Sequence, residues 1–338
     1  MFSPRPDTTP RFTSRLFALF TLTAAFAVAA VFSFAAVSPQ PVQQPPAQQP
    51  PQKRDEYTIR KDVQLVVLHA TVVDERGRFV PGLLQEHFRV YEDKVEQKLS
   101  LFRREDIPVT VGLVIDNSGS MRDKRDKVNA AALTFVKTSN PEDEVFVVNF
   151  NDDFYLDLDK DFTNDTGELT EALERIDSRG STALYDAVIG SLDHLKKGHR
   201  DKKVLLVVTD GEDNASRKSL EIAMKEAQQS EAVIYGIGIL GKDNDRSAKK
   251  ARRALSALTQ ATGGLSFFPE GLEDVEAICT QIAHDIRNQY TLGYYPTNGV
   301  RDGRFRAVQV DIRGPRRLGR LSARTRSGYF AQRESAGN

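Results

Sequence analysis

Residues 109–115 (VTVGLVI) run apolar without a break and end on an acid, Asp116. A run of this kind fits a strand buried on both faces, which needs a layer of helix on each side. The chain supplies those layers. Val128, Ala131, Ala132, Phe135 and Val136 follow at helical spacing, 145–150 is a second apolar strand, and 154–158 reads as an edge strand. Leu169, Leu173 and Ile176 mark a helix, and Leu184, Val188, Leu192 and Leu195 mark another before the strand 204–208 (VLLVV). Leu220, Ala223, Met224 and Ala227 predict a helix, 232–239 a strand, Ala251, Leu255 and Leu258 a helix, and 265–268 a short strand. Val275, Ile278, Ile282 and Ile286 close the series with a helix over 272–288. Strands alternating with helices predict an α/β fold, a doubly wound and mainly parallel sheet with helices on both faces.

On either side of this core the chain reads as strands. Residues 63–73 alternate and are rich in Val and Leu, 74–77 (DERG) is a turn, and 89–92 and 95–102 are strands around Asp93-Lys94. After Gln289 come the strands 290–295, 304–313 and 318–326. Neither flank has enough strands to bury a face alone, so the two are expected to pair into one small β-domain. The expected organisation is a β-rich flank over 57–107, the core over 108–288, a second β-rich flank over 289–332 and a tail over 333–338.

Residues 16–37 carry no charge and follow Arg5, Arg11 and Arg15, which stand against a single Asp7. A basic stretch before an apolar run is an export signal, and this run is long enough to span a bilayer. Two readings stay open, a retained membrane anchor and a cleaved signal. The arginines precede the run, so the rest of the chain is expected outside the cytoplasm, periplasmic or extracellular. It would be tethered to the inner membrane by residues 16–37 unless the signal is cleaved. No cysteine follows the run directly, which excludes lipoprotein anchoring. Residues 38–56 open with SPQPVQQPPAQQPPQ, a composition that makes an extended, semi-rigid linker. A proline-rich adaptor ligand is the sharper alternative, disfavoured by the expected location.

The charge balance narrows the partners. Lys+Arg and Asp+Glu are both 47, so the chain lacks the basic excess of a dedicated nucleic-acid binder. The zero sum hides a partition: 151–177 holds ten acidic residues and 301–333 holds ten arginines. These opposed patches would attract each other, or the basic one would meet anionic envelope polymers. A single cysteine, Cys279, cannot staple the fold, and its place on an apolar helix face marks a buried structural thiol.

In an open α/β sheet, ligands sit beyond the carboxyl ends of the strands. The first core strand ends in Asp116-Asn117-Ser118-Gly119-Ser120, the strand 204–208 in Thr209-Asp210-Gly211, and Gly180-Ser181-Thr182 lies in a loop between them. Asp116, Ser118 and Ser120 alternate, which turns three oxygen-bearing side chains to one point. With Thr182 and Asp210 they make a set of hard oxygens suited to Mg²⁺ or Mn²⁺ rather than zinc, with Ca²⁺ as a further candidate. Two carboxylates neutralise a divalent ion, and weakly donating hydroxyls leave it electrophilic enough to accept an outside carboxylate.

At these residues the sequence resembles the von Willebrand factor type A (VWFA) domain. That family's metal-ion-dependent adhesion site has the pattern Asp-x-Ser-x-Ser, a distal Thr and a distal Asp. The pattern falls on Asp116, Ser118, Ser120, Thr182 and Asp210, within VGLVIDNSGSM, GSTALYDA and VLLVVTDG. The flanks resemble the bacterial VWFA-related family named after Acidobacteria, through DERGRFVPGLLQEHFRVYED, YTLGYYPTNG and TRSGYFA. One departure is Asp93-Lys94, where such proteins tend to have Asp-Gly. The resemblance implies a module that binds a protein ligand presenting Asp or Glu to the metal, with shifts of the last helix accompanying affinity change in some relatives. Integrin β-type relatives carry paired acids just after the motif. Here that pair reads Asp123-Lys124, so no such second site is expected.

Other motifs compete less well. Gly236, Gly238 and Gly241 match G-x-G-x-x-G, but Ile237 and Ile239 continue an apolar strand, and Lys242 is followed by Asp243. Asp157, Asp159, Asp161, Asp165 and Glu168 fall at calcium-loop positions, but Phe162 stands where the turn needs glycine and no helix precedes. The five histidines form no metal motif and read as surface residues, and no feature supports catalysis. The sequence therefore points to an exported, metal-dependent protein-binding or adhesion module that is not an enzyme. A scaffold or regulatory subunit of an envelope assembly, docking through the flanks, is the alternative, and a nucleotide-binding enzyme using Gly236–Gly241 is the third reading.

Overall fold

A computed structural model describes residues 64–104, 106–175, 178–241 and 246–333. The expected anchor, the linker and the tail beyond Arg333 lie outside the described residues. In chain order the first flank gives β1 (Val66–Val73), β2 (Phe88–Glu92), β3 (Val95–Gln97) and β4 (Leu99–Arg103). The core gives β5 (Val109–Asp116), α1 (Arg125–Lys137), β6 (Glu144–Phe150), β7 (Phe154–Leu156), α2 (Thr166–Glu174) and α3 (Leu184–Leu195). It continues through β8 (Lys202–Thr209), α4 (Leu220–Gln229), β9 (Val233–Gly238), α5 (Arg246–Thr262), β10 (Ser266–Phe267) and α6 (Val275–Arg287). The second flank adds β11 (Tyr290–Tyr294), β12 (Phe305–Ile312), β13 (Ser322–Arg324) and β14 (Gly328–Phe330).

The core sheet has the order β10-β9-β8-β5-β6-β7, and all its pairs are parallel except β6 with β7. This is the doubly wound, mainly parallel sheet the alternation predicts. All eight residues of β5 are buried, as a central strand with helices on both faces requires. Its side chains divide by parity. Val111, Leu113 and Ile115 pack with Val128 and Phe135 of α1 and Ile282 and Ile286 of α6. Val114 packs with Leu184 and Val188 of α3, Ala223 of α4 and Leu255 of α5. Gly112 faces the second layer, where a side-chain carbon would stand 2.4 Å from the Phe146 ring. Each large side chain buried this way stabilises the fold by roughly 1.5–3 kcal/mol.

The flanks form two four-stranded sheets, β13-β1-β11-β4 and β14-β12-β2-β3, and each mixes strands from both flanks. β1 runs antiparallel to β11, with Leu68 opposite Leu292, and β2 runs antiparallel to β12, with Val90 opposite Val310. Leu68, Leu292, Val90, Val310 and Phe88 share one apolar cluster, so the two sheets enclose a common core. The described residues belong to one compact unit. In the second flank Arg306 pairs locally with Asp302, and Arg324 reaches Asp285 of α6.

Two expected strands are corrected. Residues 95–102 split at Lys98 into β3 and β4, which join different sheets. Residues 318–326 hold only the short β13, after a 3-10 turn at Arg316–Leu318 and Gly319 at φ 68°, and the next strand, β14, lies in the other sheet. At both places the chain turns a corner between sheets. Among the described residues no helix is long and apolar enough to cross a membrane.

Candidate metal centre

β5 and β8 lie side by side and parallel, with Ile115 level with Val208, so Asp116 and Thr209-Asp210 emerge at one edge of the sheet. Chain order reverses here: β6 and β7 continue on one side of β5, and β8, β9 and β10 on the other. That reversal opens the crevice in which doubly wound sheets hold ligands.

Asp116 is fully buried. Its Oδ2 accepts a hydrogen bond from Thr209 Oγ1 at 2.6 Å, and its Oδ1 accepts one from Ser118 N at 2.8 Å. Burial pushes its carboxyl up to about 6, against the hydrogen bonds from Thr209 and Ser118, and the nearby Asp210 adds to the rise. A carboxylate raised by lost solvation is an anion that a nearby cation relieves. Ser118 Oγ lies 3.2 Å from Ser120 Oγ, and Ser120 Oγ donates to Asp210 Oδ1 at 2.7 Å. Asp210 presents its other oxygen, Oδ2, to the Lys124 ammonium. Thr182 Oγ1 rests against Gly211, where a side-chain carbon would stand 3.5 Å from it. The structure thus brings all five expected residues to one edge, four of them in a hydrogen-bonded chain.

Backbone and side-chain hydrogen bonds together lock the three loops. Gly119 N donates to Gly180 O at 3.1 Å and Arg179 N to Asn117 O at 2.9 Å. Gly180 sits at φ 76°, the left-handed region that favours glycine. Asp152 Oδ1 accepts Ser181 N at 2.9 Å, and Asn214 Oδ1 accepts Thr182 N at 2.8 Å. Behind them Asn117 Nδ2 donates to Asn149 Oδ1, and Asn149 Nδ2 donates to Asp157 Oδ2, all three residues being buried.

The donor set fits a small divalent ion. Octahedral Mg²⁺ with oxygens at its usual distance places neighbouring ligands about 2.9 Å apart. The Ser118–Ser120 and Ser120–Asp210 separations of 3.2 and 2.7 Å bracket that spacing. Among the described residues no group of three or more His, Cys, Asp or Glu side chains could hold a metal. A cation at this edge would therefore depend on hydroxyls as much as on carboxylates.

The profile of the von Willebrand factor type A domain matches residues 111–212, from within β5 to just past Asp210. Those residues form a von Willebrand factor type A domain. An uncharacterized protein of Synechocystis is 26% identical over 108 residues, 31% of this chain and 26% of its own. The chain thus spans about a quarter of the length of the curated relative it matches. Among solved structures, a von Willebrand factor type A protein from Catenulispora acidiphila is 12% identical, with a TM-score of 0.46, over 79% of this chain and 75% of that one. The vWF domain of the type V pili tip protein Mfa5 from Porphyromonas gingivalis is 14% identical, with a TM-score of 0.44, over 54% and 95%.

The competing motifs serve the packing of the core. Gly236 and Gly238 lie inside β9, where side-chain carbons would stand 2.6 Å from Leu255 and 2.7 Å from Phe268. They open no helix, and Lys242 lies outside the described residues. The calcium-loop carboxylates have other work: Asp157 accepts from Asn149, Asp165 caps α2 through Gly167 N and Glu168 N, and Glu168 pairs with Lys160. Cys279 is buried and free, its thiol pushed up to about 12 by burial. His194 corrects the surface reading: it is buried between Phe146 and Phe162, with Nε2 at 2.9 Å from Asp161 O.

Two residues of the centre escaped sequence reasoning. Thr209 carried a signal, a hydroxyl at the end of an otherwise apolar strand. Lys124 carried none, because its partner lies 86 residues away.

Proposed function

We propose that the type A domain is a cation-dependent protein-binding module of adhesion type, non-enzymatic, in which Asp116, Ser118, Ser120, Thr182 and Asp210 hold one divalent ion, Mg²⁺ in the first instance. The observation that carries this reading is the convergence of oxygens from three loops at the reversal in strand order. When bound, the ion would supply an open position for a carboxylate of the partner, so the matching ligand is a protein presenting Asp or Glu. The chain's own residues do the rest. Thr209 and the Ser118 amide orient Asp116. Asn214 and Asp152 fix the loop that carries Thr182.

Residues 16–37 support export and a membrane tether that would present the module outside the cytoplasm. A second reading, docking through the flanks, is favoured by two residues more than half exposed, Leu84 ahead of β2 and Val95 at the start of the edge strand β3.

Calorimetry with MgCl₂ on the full chain and on Asp116→Ala, each checked by thermal melting, tests the reading. Binding by the parent and none by a folded variant supports it, and undiminished affinity in the variant overturns it. Partner capture that persists in EDTA would favour the flanks instead.

A further inference from the structure

Lys124 is the N-terminal cap residue of α1, where its ammonium, a donor only, cannot satisfy the free backbone N–H groups. A cation there faces the positive end of the helix dipole, the wrong sign for that position. What holds it is Asp210, whose side chain is fully buried, while the lysine side chain keeps 29% of its surface exposed. The carboxylate is fixed and the ammonium has a path to water.

The charge count is unequal. Asp116 and Asp210 bring two negative charges and Lys124 one positive, so the centre is formally short of one positive charge. Asp210 divides its oxygens between Ser120 Oγ and Lys124 Nζ. A divalent ion held by Ser120 and Asp210 would share that carboxylate with an ammonium, placing like charges within a few ångström where solvent screens poorly.

We propose that Lys124 is the resident counter-ion of this centre and exchanges with the divalent cation at Asp210. The inference rests on the cation-binding reading and adds a residue that sets metal affinity. In the metal-free protein the ammonium neutralises a carboxylate that would otherwise be buried and unpaired, which is costly. On metal loading the side chain swings to the rim, and metal affinity is lowered by the work of displacing it. The ion and the two carboxylates then sum to zero, and the displaced ammonium at the rim adds one positive charge beside them, which favours an anionic partner.

Calorimetry with MgCl₂ and MnCl₂ on the parent, Lys124→Met and Lys124→Gln tests this, with melting curves in EDTA and in Mg²⁺. The glutamine variant keeps a donor for Asp210 if the methionine variant folds poorly. The expected result is a Kd at least about tenfold tighter in the variants. It comes with a lower melting temperature in EDTA that Mg²⁺ restores by a larger increment than in the parent. Equal Kd values in parent and variants would overturn the exchange and leave the cation reading standing. No binding by any of the three proteins would overturn both.

Discussion

Thr209 Oγ1 donates to Asp116 Oδ2 at 2.6 Å, so the last residue of β8 holds the last residue of β5. Thr209→Val keeps the shape and removes the donor. A buried carboxylate that loses one of its hydrogen bonds costs about 1.5–3 kcal/mol. Urea denaturation should register that loss, and a midpoint equal to the parent's would mean the bond contributes nothing net.

The loop carrying Thr182 turns on Gly180, where a side-chain carbon would stand 2.0 Å from Asp152 Oδ2. Gly180→Ala must adopt a left-handed φ and push Asp152 off Ser181 N, at about 1–3 kcal/mol. The expected outcome is a lower melting temperature together with weakened Mg²⁺ binding. Unchanged metal affinity would show that the loop tolerates the shift.

Asp93 and Lys94 both have positive φ, 47° and 71°, and Asp93 Oδ1 accepts Ala307 N at 2.9 Å. The hairpin forms despite the lysine, in a turn geometry that favours glycine. Lys94→Gly should stabilise the protein by about 0.5–1 kcal/mol, the strain relieved less the entropy glycine loses. Thermal melting decides, and a destabilised variant would refute the strain argument.

Lys202 is buried, its ammonium donating to Ile286 O at the end of α6. Burial pushes it down to about 7, with Asp285 opposing and Arg287 reinforcing. Between that value and the ordinary 10.5 the unfolded chain holds a proton that the folded chain has released, so this group makes stability rise with pH across the window. Below it the full cost of a buried charge remains. Lys202→Met should gain most relative to the parent at pH 6.5 and least at pH 9.5, approaching about 1.4 kcal/mol per pH unit in the window. Urea midpoints at the two pH values measure it, and a constant difference would exclude Lys202 as the source.

The core was legible because burial on both faces leaves an unmistakable mark. β5, β6 and β8 each contain an apolar run, and the acids and hydroxyls at their carboxyl ends stand out by contrast. The candidate ligands Asp116, Ser118, Ser120 and Asp210 stand out for the same reason, whereas Thr182 sits in the loop before α3 with no such run ahead of it. The corners of the flanks were not. Whether residues 95–102 make one strand or two depends on which neighbour each half meets, β2 or β11, and those partners come from distant parts of the chain. Lys124 hid in the same way, its role set by a carboxylate on another strand's end.

Only Asn288 and Gln289 separate α6 from β11. Gln289 Nε2 reaches both Thr71 Oγ1 and Tyr235 OH, and Asp285 near the end of the helix takes hydrogen bonds from Tyr235 and Arg324. A two-residue tie spans at most about 7 Å, so it holds no slack. Tension along β1, which is zipped to β11 over five residue pairs, would have to shear that ladder or tug α6, the last helix of the core. The flanking sheets are thereby a handle: a pull on them is felt on the face of the core that α6 covers.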